Sequence, residues 1–271
     1  MLNEELEPRA SALLGAVDTI GLVNNHIWRT GAYTAKWGAW PDRMLGQYPD
    51  TCRGFVPAGF DRYSALLHAG IDLKLSAGSA SEVHPVPPGR SRIYVRTRAK
   101  PTVAGWFDAV RAGMSLVTTG PMLLLRVNGK EPGDEIRGLS FPATVDIEVE
   151  MLSIVAVDHV KVVVNGAVHS IAMKRDTAKA RRYRGRLRTR LTDGAWITAR
   201  RSADRAGSCD AAHRSPVFLG NGGGRPPMAT SNEKPQRLER HHRDGARVDP
   251  RRDTRLIRAG SRHLSKEASR C

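Results

Sequence analysis

Residues 76–95 read SAGSASEVHPVPPGRSRIYV and follow a short apolar run at residues 71–75. An apolar run that gives way to small residues predicts a buried strand ending in a tight loop. The loop carries a lone histidine, His84, then a proline–glycine bend, and another strand is predicted at residues 92–95. Loops at the carboxyl ends of strands carry active-site groups in α/β barrels and in layered α/β folds. The chain up to this point is therefore predicted to be part of an α/β domain.

A second strand with a polar end precedes this segment. Residues 19–23, TIGLV, are mostly apolar and are followed directly by Asn24, Asn25 and His26. His26 has two interpretations: a metal ligand or acid–base group oriented by the two amides, or a hydrogen-bonded loop histidine. Because His26 and His84 both follow buried strands, we expect them at the same end of the sheet.

The rest of residues 1–120 combines three predicted helices with one predicted irregular segment. Helical spacing predicts helices at residues 5–17, 61–69 and 102–112, the second of them with Asp61 as its N-cap. Residues 27–60 are rich in tryptophan, glycine and proline, which predicts a long irregular segment. Such a segment is either a functional wall or lid, or aromatic packing against the rim of the domain.

Downstream of residue 121 the pattern changes to alternation over strand lengths, as in residues 144–151, TVDIEVEM. Asn165 and Gly166 lie between two apolar runs, and Asn128 and Gly129 are a second pair of the same kind. An Asn-Gly pair in this setting is the strongest short-range signal for a β-hairpin. Regular strands without intervening helices predict an antiparallel β-sandwich.

The net charge of +16 comes almost entirely from two segments. Residues 221–271 carry 13 Lys and Arg against 6 Asp and Glu, and residues 174–190 carry 9 against the single Asp176. The second segment is predicted to place arginines of one strand parity on one face of a sheet. That face is either a polyanion-binding surface or an ordinary exposed one; no aromatic interleaving supports base stacking, so nucleic acid is not expected as a partner. The arginines are Arg182, Arg184, Arg186, Arg188 and Arg190.

Composition also sets expectations for the tail and for the location of the protein. Residues 221–271 contain no aromatic residue and few apolar ones, so they are predicted to be a disordered basic tail. The three cysteines show no C-x-x-C spacing, and the first residues lack the order of a signal peptide. No apolar run approaches the about 18 residues of a membrane span. A cytoplasmic protein without a membrane partner is expected.

The chain contains five longer motifs, in the order LVNNHIWRTG, YPDTCRGFVPAGFDRYSALLHAG, SAGSASEVHPVPPGRSRIYV, AVRAGMSLVTTGPMLLLRVNGKEPGD and AHRSPVF. Together they resemble the C-terminal part of the CehA/McbA-type metallohydrolases, relatives of the PHP (polymerase and histidinol phosphatase) domain. The resemblance implies a distorted α/β barrel that binds two or three divalent metals through His, Asp and Glu, followed by a β-sandwich.

Two departures from the family pattern bear on the metal site. The early H-x-H metal motif has no counterpart, since no H-x-H occurs in the chain, so the first half of the barrel is expected to be missing. Ala80 stands where the family often has a metal-binding Asp. The resemblance carries over His26, with His84 as a second ligand, and imidazole suits Zn, Mn or Fe. Because catalytic zinc usually takes three protein ligands, this pair alone predicts weak metal binding.

These observations predict an α/β plus β chain. Residues 1–120 are expected to form the C-terminal part of a PHP-like distorted barrel, 121–220 an antiparallel β-sandwich and 221–271 the disordered tail. The first functional hypothesis is a truncated, weakly active or inactive metal-dependent hydrolase of small-molecule or polymer esters or phosphoesters, with a partner chain supplying the missing ligands; the catalytic residues are not identified. The alternative is a non-catalytic binding module, whose sandwich recognises a polymer or protein while the barrel remnant is scaffold.

Overall fold

The computed structural model describes residues 17–28, 48–49, 51–79, 86–97, 100–177, 181–202 and 210–221, with the backbone alone for residues 26, 28 and 52. All of these residues belong to one compact unit, residues 1–228. Among them, no helix is both long and apolar enough to cross a membrane.

The described residues form fourteen strands, two α-helices and one short 3₁₀ helix. The α-helices are α1 (Cys52–His68) and α2 (Val103–Arg111), and the 3₁₀ helix spans Asn25–Trp28. The strands, in chain order, are β1 (Thr19–Val23), β2 (Lys74–Ala77), β3 (Arg92–Val95), β4 (Ser115–Thr118), β5 (Met122–Val127), β6 (Glu135–Ile136), β7 (Ala143–Leu152), β8 (His159–Val164), β9 (Ala167–Ala172), β10 (Lys174–Arg175), β11 (Arg182–Leu191), β12 (Ala195–Ser202), β13 (Ala211–Arg214) and β14 (Val217–Leu219).

The strands form three sheets. Strands β1 and β2 pair in parallel, and a four-stranded antiparallel sheet has the order β10-β11-β7-β5. The third sheet follows the order β3-β4-β13-β12-β14-β6, with β8 also on β12 and β9 on β8. Its pairs are antiparallel except β14 with β6. The third sheet therefore takes strands from both sides of residue 120.

The two larger sheets share one hydrophobic core. Strand β7 alternates buried residues, such as Ile147 and Val149, with outward acidic residues, and β11 alternates in the same way with arginines. Leu116 of β4 and Ala212 of β13 belong to the same core from the third sheet. Two sheets that meet over an apolar core form a sandwich-like arrangement. The β-rich part of the predicted fold is confirmed, whereas the described residues form no closed barrel and the PHP-like barrel stays a prediction.

A second core lies beneath helix α1. Phe60, Tyr63 and Leu67 follow helical spacing and are almost fully buried. They cluster with Leu75 of β2 and with Trp196 of β12. Helix α1 therefore joins the parallel pair β1–β2 to the third sheet through apolar packing.

Helix α1 begins earlier than the sequence pattern predicts. The sequence pattern predicts a helix over residues 61–69 with Asp61 as its N-cap, but the helix begins at Cys52 and Asp61 lies in its middle. Gly54 and Pro57 lower the intrinsic helix propensity of the first turns, which hides the true start. Packing of an apolar helix face against a core stabilises turns that local propensity disfavours.

Other local predictions agree with the structure. Helix α2 begins after Thr102, whose side chain accepts a hydrogen bond of 3.0 Å from the Gly105 backbone N–H. Asn165 and Gly166 form the turn between β8 and β9 with φ of 46° and 87°. Positive φ at both central residues is the signature of the tight hairpin turn that an Asn-Gly pair favours.

Some predictions fall outside the described residues. They are the helix at residues 5–17, apart from Val17, most of the irregular segment at 27–60 that precedes α1, and the tail beyond residue 221. The division into parts at residues 120 and 220 also stays a prediction.

Candidate functional site

The carboxyl ends of β1 and β2 lie at the same edge. In their parallel pairing Val23 is opposite Ala77, and the Gly78 backbone N–H donates to the Val23 carbonyl at 3.1 Å. The segments that follow both strands therefore begin side by side. This is the placement that the sequence predicts for the segments carrying His26 and His84.

Two buried serines tie the second of these segments in place. The Ser91 backbone N–H donates to the hydroxyl of Ser79 at 3.0 Å, and both side chains are buried. The Ser91 hydroxyl also lies 3.5 Å from the Asn24 carbonyl, just after β1. These bonds hold residues 79 and 91 together beside the end of β1.

The two predicted metal ligands are placed only in part. Residue 26 lies in the 3₁₀ helix directly after β1, but its imidazole lies outside the described residues, as does the whole of residue 84. Among the side chains that the structure describes, no group of three or more His, Cys, Asp or Glu could hold a metal ion. Nearby described groups are the neutral oxygens of Asn24, Ser79 and Ser91. The imidazole donors suit Zn, Mn or Fe in kind, and a metal at this edge depends on them.

A buried charged cluster lies on the helix that covers the parallel strands. The Asp61 carboxylate of α1 lies 2.5 Å from Nη1 of Arg200 on β12, and both side chains are largely buried. The hydroxyl of Tyr48 donates to the other oxygen of Asp61. Burial, together with this hydrogen bond, raises the pKa of Tyr48 above its usual value. The cluster ties α1 to the third sheet and keeps the tyrosine protonated.

His213 lies next to this cluster, opposite Arg200 in the pairing of β13 with β12. Its ring is fully buried, with the rings of Phe60 and Tyr63 edge-on at centroid distances of 4.7 and 5.3 Å. Burial, and then the charge of Arg200, lower the pKa of His213 to about 3. The neutral ring carries its proton on Nδ1, which lies 2.9 Å from the Arg214 carbonyl. Within the described residues Nε2 has no hydrogen-bond partner.

Sequence reasoning did not identify this buried cluster. His213 occurs in the sequence only as part of the AHRSPVF motif, and a single histidine between Ala212 and Arg214 has no local signal that separates a core position from an exposed one. The local pattern predicts Asp61 as a helix cap, and its partner Arg200 is distant in the sequence. The pairing of β12 with β13 brings these groups together, and no local pattern specifies that pairing.

The arginines of β11 share one outer face, as their parity predicts, and carboxylates lie opposite three of them. Arg186 pairs with Glu148 of β7 at 2.8 Å. Arg188 pairs with Asp146 at 3.4 Å, and Arg184 contacts Glu150 at 3.3 Å. This compensation favours the interpretation as an ordinary exposed face over a polyanion-binding surface.

Comparisons with known proteins identify no relative of this chain. The chain matches no protein-family model, no curated protein and no solved structure.

Proposed function

We propose that the chain is a metal-dependent hydrolase of ester or phosphoester bonds, similar to the CehA/McbA-type enzymes. His26 and His84 would hold a Zn, Mn or Fe ion at the carboxyl edge of β1 and β2. When bound, such an ion lowers the pKa of a bound water to about 7 and polarises an ester or phosphoryl oxygen. The observation that carries the proposal is the parallel pairing of β1 with β2, which starts both histidine segments at one edge.

The neighbouring residues of this chain have supporting roles in the proposal. The bonds between Ser79 and Ser91 fix the positions of two described residues that precede and follow His84 in the chain. Helix α1 covers the strand pair and excludes water from their inner face through Phe60 and Tyr63. Ligands that follow paired strands of a rigid scaffold are positioned better than ligands on an unsupported chain.

Two imidazoles are fewer than the three protein ligands that catalytic zinc usually takes. The proposal therefore includes a partner chain that supplies at least one further ligand. The isolated chain is expected to bind metal weakly and to turn over substrate slowly.

The first test is the metal content of the purified full-length protein by elemental mass spectrometry. We expect substoichiometric Zn, Mn or Fe in the wild type, as weak binding implies, and a clear loss in both His26→Ala and His84→Ala. The matched control is His159→Ala, because His159 is an exposed histidine at the start of β8. The control is expected to keep the wild-type metal content.

Two other results would contradict the proposal. Metal content that is the same in His26→Ala, His84→Ala and wild type would contradict the assigned site. Hydrolysis of p-nitrophenyl acetate and p-nitrophenyl phosphate, measured with and without a chelator, then tests the reaction. Activity that a chelator leaves intact would exclude the metal-dependent chemistry.

The second candidate function is the non-catalytic binding module. It is supported by the extent of the two-sheet core and by a polar groove at one end of β3, lined by Arg96 among others. A module of this kind keeps its ligand after chelation, so the chelator experiment separates the two candidates.

A further inference from the structure

The chain exposes a cluster of aliphatic side chains where β7 ends. Leu152, Ile154 and Val155 are 37%, 84% and 41% exposed. They are three of the seven large apolar side chains that are exposed in the part of the chain that the structure describes. Single exposed apolar residues are normal, whereas several of them together mark an interaction surface. We call Leu152, Ile154 and Val155 the aliphatic tip.

The backbone around the aliphatic tip is fixed on both sides. The Ser153 backbone N–H donates to the Arg181 carbonyl at 2.9 Å, and the Val155 backbone N–H donates to the Ser153 hydroxyl at 3.2 Å. Val157 is only 2% exposed and belongs to the core between the two larger sheets. The fold therefore holds Ile154 outside its core, between two anchored positions.

Three basic residues lie close to the aliphatic tip. Arg182 of β11 is opposite Leu152 in the strand register, and Arg181 precedes it. Strand β10 lies on the other side of β11, with Arg175 opposite Tyr183. Two strand spacings, about 10 Å, separate β10 from β7. We call Lys174, Arg175 and Arg181 the tip cations.

The carboxylates at this end of the sheet do not neutralise the tip cations. The tip cations are exposed, and among the described residues none of them makes an ion pair. Glu150 pairs with Arg182 and with Arg184, each at 3.3 Å, and Asp176 pairs with Arg184 at 3.6 Å. Asp158 adds one exposed acid. Residues 150–158, 174–177 and 181–184 together carry five Lys and Arg against three Asp and Glu, an excess of two positive charges.

We infer that the aliphatic tip and the tip cations attach this protein to the surface of an anionic lipid bilayer. The aliphatic side chains enter the boundary between headgroups and acyl chains, and the cations contact the lipid phosphates. A bilayer places an anionic layer directly over an apolar one and adapts to a protruding side chain. A protein partner would instead need a pocket shaped to receive Ile154.

This inference revises the expectation, drawn from the sequence, of a protein without a membrane partner. That expectation considered membrane-spanning segments, whereas the aliphatic tip would touch only one surface of the bilayer. The inference uses none of the residues proposed for the metal edge. Vesicle binding is therefore testable without reference to metal or to hydrolysis.

The first test is co-sedimentation of the full-length protein with lipid vesicles. One set of vesicles contains phosphatidylcholine alone, and the other contains phosphatidylcholine mixed with anionic phosphatidylserine. The wild type is expected to bind the mixed vesicles, and Ile154→Ser to weaken that binding by about tenfold, because an apolar side chain is lost from the contact. The matched control is Val103→Ser on α2, since Val103 is an aliphatic residue that is 77% exposed. The control is expected to bind like the wild type.

The second test separates the tip cations from net charge. The triple variant Lys174→Gln/Arg175→Gln/Arg181→Gln is expected to weaken binding to the mixed vesicles by about tenfold or more and to reduce its dependence on salt. Its control, Arg186→Gln/Arg188→Gln/Arg190→Gln, removes the same charge from exposed positions further along β11. That control is expected to change binding far less. The basic residues 221–271 are present in every protein compared, so their attraction to anionic lipid does not distinguish the variants.

Three results would overturn the inference. The first is wild-type protein that does not sediment with the mixed vesicles, and the second is equal binding by Ile154→Ser and the wild type. The third is wild-type protein that self-associates in analytical ultracentrifugation through Ile154 while its vesicle binding does not depend on that residue. This last result would assign the aliphatic tip to a contact with a second copy of the chain.

Discussion

The imidazole of His213 lies between two aromatic rings and beside the positive charge of Arg200. Burial and that charge hold the pKa of His213 at about 3, against the ordinary value of 6.5 that the unfolded chain restores. Between these two values the unfolded state binds more protons than the folded state. The contribution of His213 to stability is therefore complete above pH 6.5 and is lost progressively as the pH falls toward 3.

His213→Leu is expected to reduce the acid sensitivity of the protein. From about pH 7.5 to about pH 4.5, the free energy of unfolding of the wild type should fall by about 3 kcal/mol more than that of the variant. Urea unfolding at the two pH values measures this difference. His159→Gln removes an exposed histidine and should keep the wild-type pH dependence. An equal pH dependence in His213→Leu and wild type would show that the buried ring does not stay neutral.

At the scale of elements, α1 is attached to β12 by a charged contact in addition to its apolar face. The side chains of Asp61 and Arg200 are 19% and 8% exposed, so breaking their contact leaves a largely buried charge without its partner. Asp61→Ala is expected to lower the free energy of unfolding by about 3 kcal/mol or more. Arg200→Met should also lower the free energy of unfolding, because it leaves the Asp61 carboxylate without its counter-charge and with only the hydrogen bond from Tyr48.

The double variant Asp61→Ala/Arg200→Met isolates the contact itself. Its loss of stability should be smaller than the sum of the single losses by at least about 1.5 kcal/mol, measured by urea unfolding. Asp108→Ala on α2 is the control, because Asp108 makes an exposed contact with Arg111 worth well under about 1 kcal/mol. Strict additivity of the two single variants would mean that α1 is held by its apolar face alone.

The sequence predicts those elements whose signals are local. The Asn165-Gly166 pair specifies its turn through positive φ, and its asparagine also bonds to Gly194 and Trp196 across the sheet. Thr102 likewise caps α2 through its own side chain. The sequence does not predict the start of α1, because Pro57 and its neighbours disfavour helix and tertiary packing overrides this local preference. The position of His213 depends on strand pairing between distant segments, which a local pattern does not encode.

At the scale of the whole molecule, the third sheet joins segments that the sequence assigned to different domains. Strand β13 pairs with β12 on one side and with β4 on the other, so it lies between strands from both sides of residue 120. Leu116 of β4 belongs to the core between the two larger sheets, and its neighbour Val117 belongs to the core beneath α1. Strand β4 therefore contributes to both cores. Cores that share one strand are expected to unfold together.

A fragment of residues 121–221 is therefore expected not to fold alone. It lacks β3 and β4, which leaves the edge of β13 unpaired and removes the side chains of Leu116 and Val117 from the two cores. An exposed apolar edge favours aggregation over a defined fold. The full-length chain should instead give one cooperative urea transition, the same by tryptophan fluorescence and by circular dichroism. A sharp transition in the isolated fragment would support the boundary at residue 120, because β4 would then be dispensable to the sandwich.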